Sequence, residues 1–202
     1  MLYHSAVTVR EALLGFLLSV CIGIFLGVVI VQFKFLEDAL LPLLVTSQVI
    51  PTIALAPLLV LWLGFGSAPK VAVAFLVSFF PIVINMVTGL KAVEGDLVHL
   101  VRGLSATRWQ ELIKIRFPHA LPYLFAAFRV SITLSLIGSV VGEFVSADQG
   151  LGFLILTGAG RLLTEQIFAS IAILGLVGIT LFNLVRALER IVLPWRPSET
   201  LG

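Results

Sequence analysis

Residues 12–33 read ALLGFLLSVCIGIFLGVVIVQF, a run without a single charged side chain. Wound as an α-helix at 1.5 Å per residue, such a run extends about 33 Å and crosses a hydrocarbon layer of roughly 30 Å. It exceeds the apolar core of a secretory signal, and no small-x-small cleavage site follows it, so it is expected to stay in the mature chain. Four further apolar runs lie at 39–63, 71–90, 123–145 and 167–188, the first two uncharged, the third carrying Arg129 and Glu143 and the fourth Arg186. Together they fill most of a 202-residue chain that is 59% hydrophobic and 12% charged, with a mean hydropathy of +1.14. The expectation is an all-α, polytopic membrane protein with one membrane domain over 1–202 and about five transmembrane helices.

Charge placement sets the expected orientation. The formal net charge of +2 is too small and too dispersed for nucleic-acid binding. The connection 91–122 carries Lys91, Arg102, Arg108, Lys114 and Arg116, so the positive-inside bias makes it cytoplasmic. Alternation then puts Lys34, Arg186, Arg190 and Arg196 inside as well, and leaves Arg10, Lys70 and Arg161 outside. The run 39–63 contains Pro42, Pro51 and Pro57. Each removes a backbone donor, which predicts a kinked or partly broken helix facing the interior of an assembly or packed as a bent rod.

Within the basic connection, 104–118 is expected to form a short amphipathic helix closed by Pro118. Trp109, Leu112, Ile113 and Phe117 would share one face, with Arg108, Glu111 and Lys114 turned to water. Such a helix buries its apolar side on the membrane interface, on its own bundle or on a partner.

The run Leu104 to Pro118, followed by His119-Ala120-Leu121-Pro122, resembles the EAA loop of binding-protein-dependent ATP-binding-cassette permeases, and Ile115-Arg116-Phe117-Pro118 fits its ending. The Glu-Ala-Ala triplet of that family falls on His99-Leu100-Val101 and its glycine on Ser105, so those residues are absent. The likeness extends outward. Gln48 to Leu58, Trp62-Leu63-Gly64-Phe65-Gly66, Phe79-Phe80-Pro81, Gly142-Glu143-Phe144, Gly150-Leu151-Gly152 and Leu193-Pro194-Trp195 look like the nitrate, sulfonate and taurine type of permease. In appearance they are nearest to the carriers of thiamine-precursor pyrimidines or riboflavin. Relatives of this type usually have one more helix ahead of residue 12, so the chain is either a five-span version or truncated at its start.

The resemblance implies a permease that moves a small solute by alternating access. Its partners would be a pair of cytoplasmic ATP-binding subunits, a second permease copy or paralogue, an extracytoplasmic solute-binding protein and the lipid of a bacterial inner membrane. Ser105, Ala106, Thr107, Arg108 and Trp109 would form the coupling contact with the ATPase. ATP and Mg²⁺ would be used by that partner, and this chain would bind no cofactor; it contains no phosphate-binding Gly-x-x-x-x-Gly-Lys-Ser/Thr loop.

Other residues suggest little chemistry. His4, His99 and His119 have no metal-ligand spacing, the lone Cys21 allows no internal disulfide, and Ser105 lacks the surroundings of a nucleophile. Thr46, Ser47, Gln48, Thr52 and Asn85 either line a translocation path or satisfy broken-helix backbone. Glu143 either gates the outer side or makes a structural hydrogen bond, and Arg129 either reaches to headgroups or serves the transport path. The rival reading is an ion-coupled secondary carrier, which calls for intramembrane carboxylates and inverted repeats; a membrane-embedded enzyme would need clustered Asp, His or Ser.

Overall fold

The computed structural model describes residues 1–47, 51–146 and 148–194, and every regular element among them is helical. In chain order these are α1 (Leu2–Gln32), α2 (Lys34–Ser47), a 3-10 turn (Thr52–Leu55), α3 (Ala56–Leu63), α4 (Ser67–Lys91), α5 (Gly95–Gly103), α6 (Arg108–Glu111), a wide π turn (Leu112–Arg116), α7 (Phe117–Ser146), α8 (Leu151–Gly160) and α9 (Thr164–Val192). Four stretches are long and apolar enough to cross a bilayer: α1, α4, the stretch from α6 through α7, and α9. The expected runs 71–90, 123–145 and 167–188 fall inside α4, α7 and α9.

Of the other two runs, the first lies almost wholly within a longer helix and the second is broken, as its three prolines lead one to expect. α1 starts at Leu2, well ahead of residue 12, because Thr8 and Glu11 are buried against neighbouring helices and the Glu11 charge is met by Lys70. The run 39–63 is two pieces, α2 and then the 3-10 turn with α3, which change direction by 85°. Pro51 precedes the second piece and Pro57 enters the first turn of α3, where a missing N–H costs nothing. α2 buries no side chain fully, though Leu40, Leu41 and Leu44 pack half-buried on Ile30, Phe79, Val83 and Val87 and Glu37 pairs with Lys91, so its other face is exposed. One apolar helix was not anticipated: α8, ten residues long, is too short to cross.

The bundle is organised on a seam of small residues. α1 presents Glu11, Gly15, Ser19, Gly23 and Gly27 at four-residue intervals, a spacing that keeps them on one helix face. Their partners on α4 are Lys70, Ala74, Ser78, Ile82 and Met86, with the same offset of 59 positions along the whole contact, so the two helices run parallel and in fixed register. At its centre Ser19 and Ser78 share a hydrogen bond of 2.7 Å. α7 runs antiparallel into the same seam, with Gly142 over the Lys70 backbone and Gly138 over that of Ala74. Ser135 donates to the Ala12 carbonyl. Small residues let helix backbones approach closely where lipid tails offer no hydrophobic drive to pack. Toward the other end the seam gives way to a core of Ile82, Met86, Leu90, Leu112, Leu124 and Phe125. α9 lies outermost, with only Ser170, Leu181 and Val185 buried.

The seam makes Gly15 intolerant of a side chain, since a Cβ there would stand 2.9 Å from the Phe75 backbone nitrogen. Gly15→Val is expected to cost about 1–3 kcal/mol by forcing α1 and α4 apart. Thermal unfolding in detergent should show a lowered midpoint. Gly175→Ala on α9, where an added Cβ meets open space, should leave the midpoint unchanged or raise it.

Candidate functional site

Sequence reasoning placed the functional contact at 105–109, and the structure builds that stretch as a stiff corner between α5 and α6. Backbone bonds close it: Leu104 N–H to Leu100 O at 3.1 Å, Ser105 N–H to Arg102 O at 2.9 Å and Ala106 N–H to Val101 O at 3.2 Å. Ser105 adopts a left-handed φ of 61°, a conformation glycine takes without cost. The resemblance puts a glycine at this position, and the backbone supplies the reason. Thr107 then caps α6: its hydroxyl accepts the Gln110 N–H while the Gln110 side chain accepts the Thr107 N–H, a reciprocal capping box.

The helix expected over 104–118 is corrected on three counts. It begins at Arg108, because Ser105 is in a turn and Thr107 is the cap. It does not stop at Pro118. The π turn Leu112–Arg116 comes immediately before, with the Phe117 N–H bonded to the Leu112 carbonyl five residues back. That wide turn breaks the regular i−4 pattern against which a proline ring clashes, so Pro118 enters the first turn of α7, which continues past Pro122. Its faces also differ from the expectation. Leu112 is buried in the core, whereas Trp109 (66% exposed) and Ile113 face out beside Arg108 and Lys114. Glu111, expected in water, is 4% exposed. Leu100 and Leu104, which sequence reasoning did not single out, are also exposed there.

Glu111 is buried because two guanidiniums enclose it. Arg102 Nε donates to one carboxylate oxygen at 2.8 Å, and Arg116 Nε donates to the other at 2.7 Å. Arg116 also donates from a terminal nitrogen to the Leu90 carbonyl at 3.1 Å, near the end of α4. The hydrogen bond from Arg102, supported by that from Arg116, holds the Glu111 carboxyl below the usual carboxylate range against the opposing effect of burial. Its folded-state pKa is depressed, so its stabilising contribution is complete above the ordinary carboxylate value and is lost as pH falls through the depressed one.

The opposite end of the seam carries a second ionic cluster. Glu11 and Lys70 form an ion pair of 2.9 Å with both side chains 3% exposed, so the Lys70 charge is met inside the bundle. Glu143 is fully buried. The Thr8 hydroxyl donates to one of its oxygens at 2.6 Å and the Gly152 N–H to the other at 2.6 Å, while Leu151 N–H donates to the Thr8 hydroxyl at 2.9 Å. Glu143 thus anchors the first turn of α8 onto α1. Gly150 has a φ of 120°, and a side chain there would overlap the Glu143 carboxylate, which accounts for the Gly150-Leu151-Gly152 motif. Sequence reasoning missed Glu11; its only signal was a carboxylate four residues ahead of a Gly15–Ser19–Gly23 stripe. Arg129 pairs with Glu189 at 3.4 Å, joining α7 to α9.

The polar residues considered for a path are not brought together by hydrogen bonds among the described residues. Thr46 donates to the Pro42 carbonyl at 2.6 Å, Ser47 to Leu44 O at 2.8 Å and Asn85 to Pro81 O at 2.8 Å, so each bonds its own helix. Thr52 opens the 3-10 turn, half-buried. Gln48 lies outside the described residues.

Against known proteins, the family model described as binding-protein-dependent transport system inner membrane component matches residues 19–196. The riboflavin transport system permease protein RibX of Chloroflexus aurantiacus is 41% identical over 195 residues, covering 96% of this chain and 73% of that one. The formylaminopyrimidine transport permease protein ThiX of Halalkalibacterium halodurans is 38% identical, covering 97% and 78%. Among solved structures, a chain of the inward-facing MetNI methionine ABC transporter superposes with a TM-score of 0.83 over 95% of both chains at 18% identity, a likeness of fold.

The buried Glu11–Lys70 pair gives a direct test of the seam's polar end. Lys70→Met leaves Glu11 buried without its cation and should destabilise the protein by about 3–5 kcal/mol. The double variant Glu11→Gln/Lys70→Met should recover most of that loss. Both are read from thermal midpoints in detergent.

Proposed function

Because this chain belongs to the family of binding-protein-dependent transport system inner membrane components, as a multi-pass permease subunit of an ATP-binding-cassette importer, we propose that 105–109 is where a cytoplasmic ATPase docks. We further assign it a cargo that is a small heteroaromatic solute of the riboflavin or thiamine-precursor pyrimidine class. The observation that carries the docking assignment is the exposed, pre-capped helix Arg108–Glu111, which holds Trp109 outward on a hydrogen-bonded corner. A partner meeting an already ordered helix loses little conformational entropy on binding, and aromatic and arginine side chains supply much of the energy at such contacts. The positive-inside bias supports placing this end in the cytoplasm.

In this reading two copies, or this chain and a paralogue, face each other across the path, and a soluble receptor delivers cargo at the Glu143 end. α2 and α3, with Thr46, Ser47, Thr52 and, by sequence, Gln48, border the path, which is supported by the exposed side of α2 opposite its packed leucines. ATP binding and Mg²⁺ use belong to the partner, and closure of two ATPases drives the change between outward and inward access as a rigid-body motion. The cargo assignment is supported by the riboflavin and formylaminopyrimidine permeases among the relatives.

Docking predicts that Ala106→Trp and Arg108→Glu lose the ATPase subunit on purification while the membrane domain keeps its thermal midpoint. Trp109→Ala should weaken retention by about 2 kcal/mol if it is an interface hot spot. Wild-type retention and ATP hydrolysis in Ala106→Trp and Arg108→Glu would remove this corner from the coupling pathway.

For the cargo, titration of the cognate binding protein should show saturable binding of riboflavin or formylaminopyrimidine, with uptake of the same compound into proteoliposomes. Binding of an aliphatic sulfonate, taurine or nitrate instead overturns the cargo assignment and leaves the family membership untouched.

A further inference from the structure

A four-residue helix has little surface through which to pass on a push. Of α6 only Glu111 is buried, and Trp109, the side chain aimed at a partner, is exposed. Through the wide turn α6 continues into α7, so what a push on it still needs is a tie to α5 and to the end of α4. We propose that Glu111, clasped by Arg102 and Arg116, is the positioning residue that makes the docking segment and the ends of α4 and α7 one mechanical body. This inference rests on reading 105–109 as the ATPase contact.

Three observations meet at this carboxylate. Arg102 reaches it from the last turn of α5, so the helices on both sides of the corner share one anion. Arg116 reaches it from the far side of the π turn and carries the connection on to the Leu90 carbonyl, one of the last of α4. Those last carbonyls lack intrahelical partners, which makes them free acceptors for a guanidinium. The third observation is the turn itself. In a regular α-helix residues five apart differ by about 500°, so they point roughly 140° away from each other. The i→i+5 bonding of Leu112–Arg116 widens the turn and brings Arg116 over Glu111. The ion cluster therefore depends on the wide turn. Leu112, buried beside them in the core, fixes the same turn through packing, so the segment keeps its fold when the charge is removed.

Glu111→Gln retains the size of the side chain and removes its charge. In proteoliposomes containing the permease, its ATPase and its binding protein, the variant should keep the ATPase subunit and retain hydrolysis within about twofold, while uptake per ATP hydrolysed falls at least about fivefold. Arg102→Gln, at an exposed position, should act in the same direction with a smaller effect and carries the test if Glu111→Gln fails to fold. A second measurement needs no ATPase. With Cys21 replaced by Ala, spin labels at Thr88 on α4 and Arg108 on α6 should give a narrow distance distribution that broadens in Glu111→Gln. Wild-type uptake per ATP, or an unchanged distribution, overturns the proposal. So does loss of the ATPase subunit from Glu111→Gln, which would make the residue part of the docking surface. If Ala106→Trp retains the ATPase, the docking reading fails by itself, and the spin-label distances still report whether the clasp fixes α6 on α4.

Discussion

The contact on which the rest of the molecule depends is the parallel seam of α1 and α4, held at one offset from Glu11–Lys70 to Gly27–Met86. Close approach of backbones, not burial of large side chains, makes this seam, and that has consequences for every other element. α7 enters it antiparallel through Gly138 and Gly142, so three helices share one narrow axis. Because the lateral contacts are short and largely rigid, the three cannot shift past one another without opening the seam along its length. The elements outside it are held more lightly: α2 through half-buried Leu40, Leu41 and Leu44 and the Glu37–Lys91 pair, and α9 through Ser170, Leu181, Val185 and the Arg129–Glu189 pair.

The two ends of the seam solve the problem of charge near a membrane differently. At one end Glu11, Lys70 and Glu143 are enclosed by helix backbones, and their task is cohesion: Glu143 substitutes for the missing partners of the α8 N-terminus. At the other, Glu111 is enclosed by guanidiniums that belong to the loop itself. A permease needs one end that seals and another that yields to a partner. The division of ionic roles suits that need, with an ion pair between core helices at the first and an ion cluster between a surface corner and a core helix at the second.

Much of this was legible in the sequence. Lengths of uncharged residues gave the membrane class, three of five runs in place, and the three-proline run as broken. The 105–109 segment was recognisable through the resemblance of Leu104 to Pro118 to the EAA loop, whose ending Ile115-Arg116-Phe117-Pro118 fits. What escaped was governed by long-range pairing. Nothing local in Glu11 reveals that Lys70, in another run, will cancel its charge and let α1 continue toward Leu2. Nor does the local pattern of Glu111 reveal burial; on an ordinary helix it belongs to the water-facing set, and only the widened turn removes it. Pro118 misled for the same reason, since the rule that proline ends a helix assumes regular geometry in the turn before it.

That widened turn also fixes a phase. A π turn holds one residue more than the α-helix around it needs, and each residue of an α-helix corresponds to about 100° of rotation and 1.5 Å of rise. Remove the surplus, and everything ahead of it swings by that angle relative to α7: Trp109 would aim at a different quarter of its surroundings with no change in its own sequence. The compass bearing of α6 is thus encoded by chain length between Leu112 and Arg116 as much as by the identity of the exposed residues it carries. Single-residue insertions and deletions in this stretch are consequently a class of change apart from substitutions, altering which way α6 points while leaving α6 itself intact.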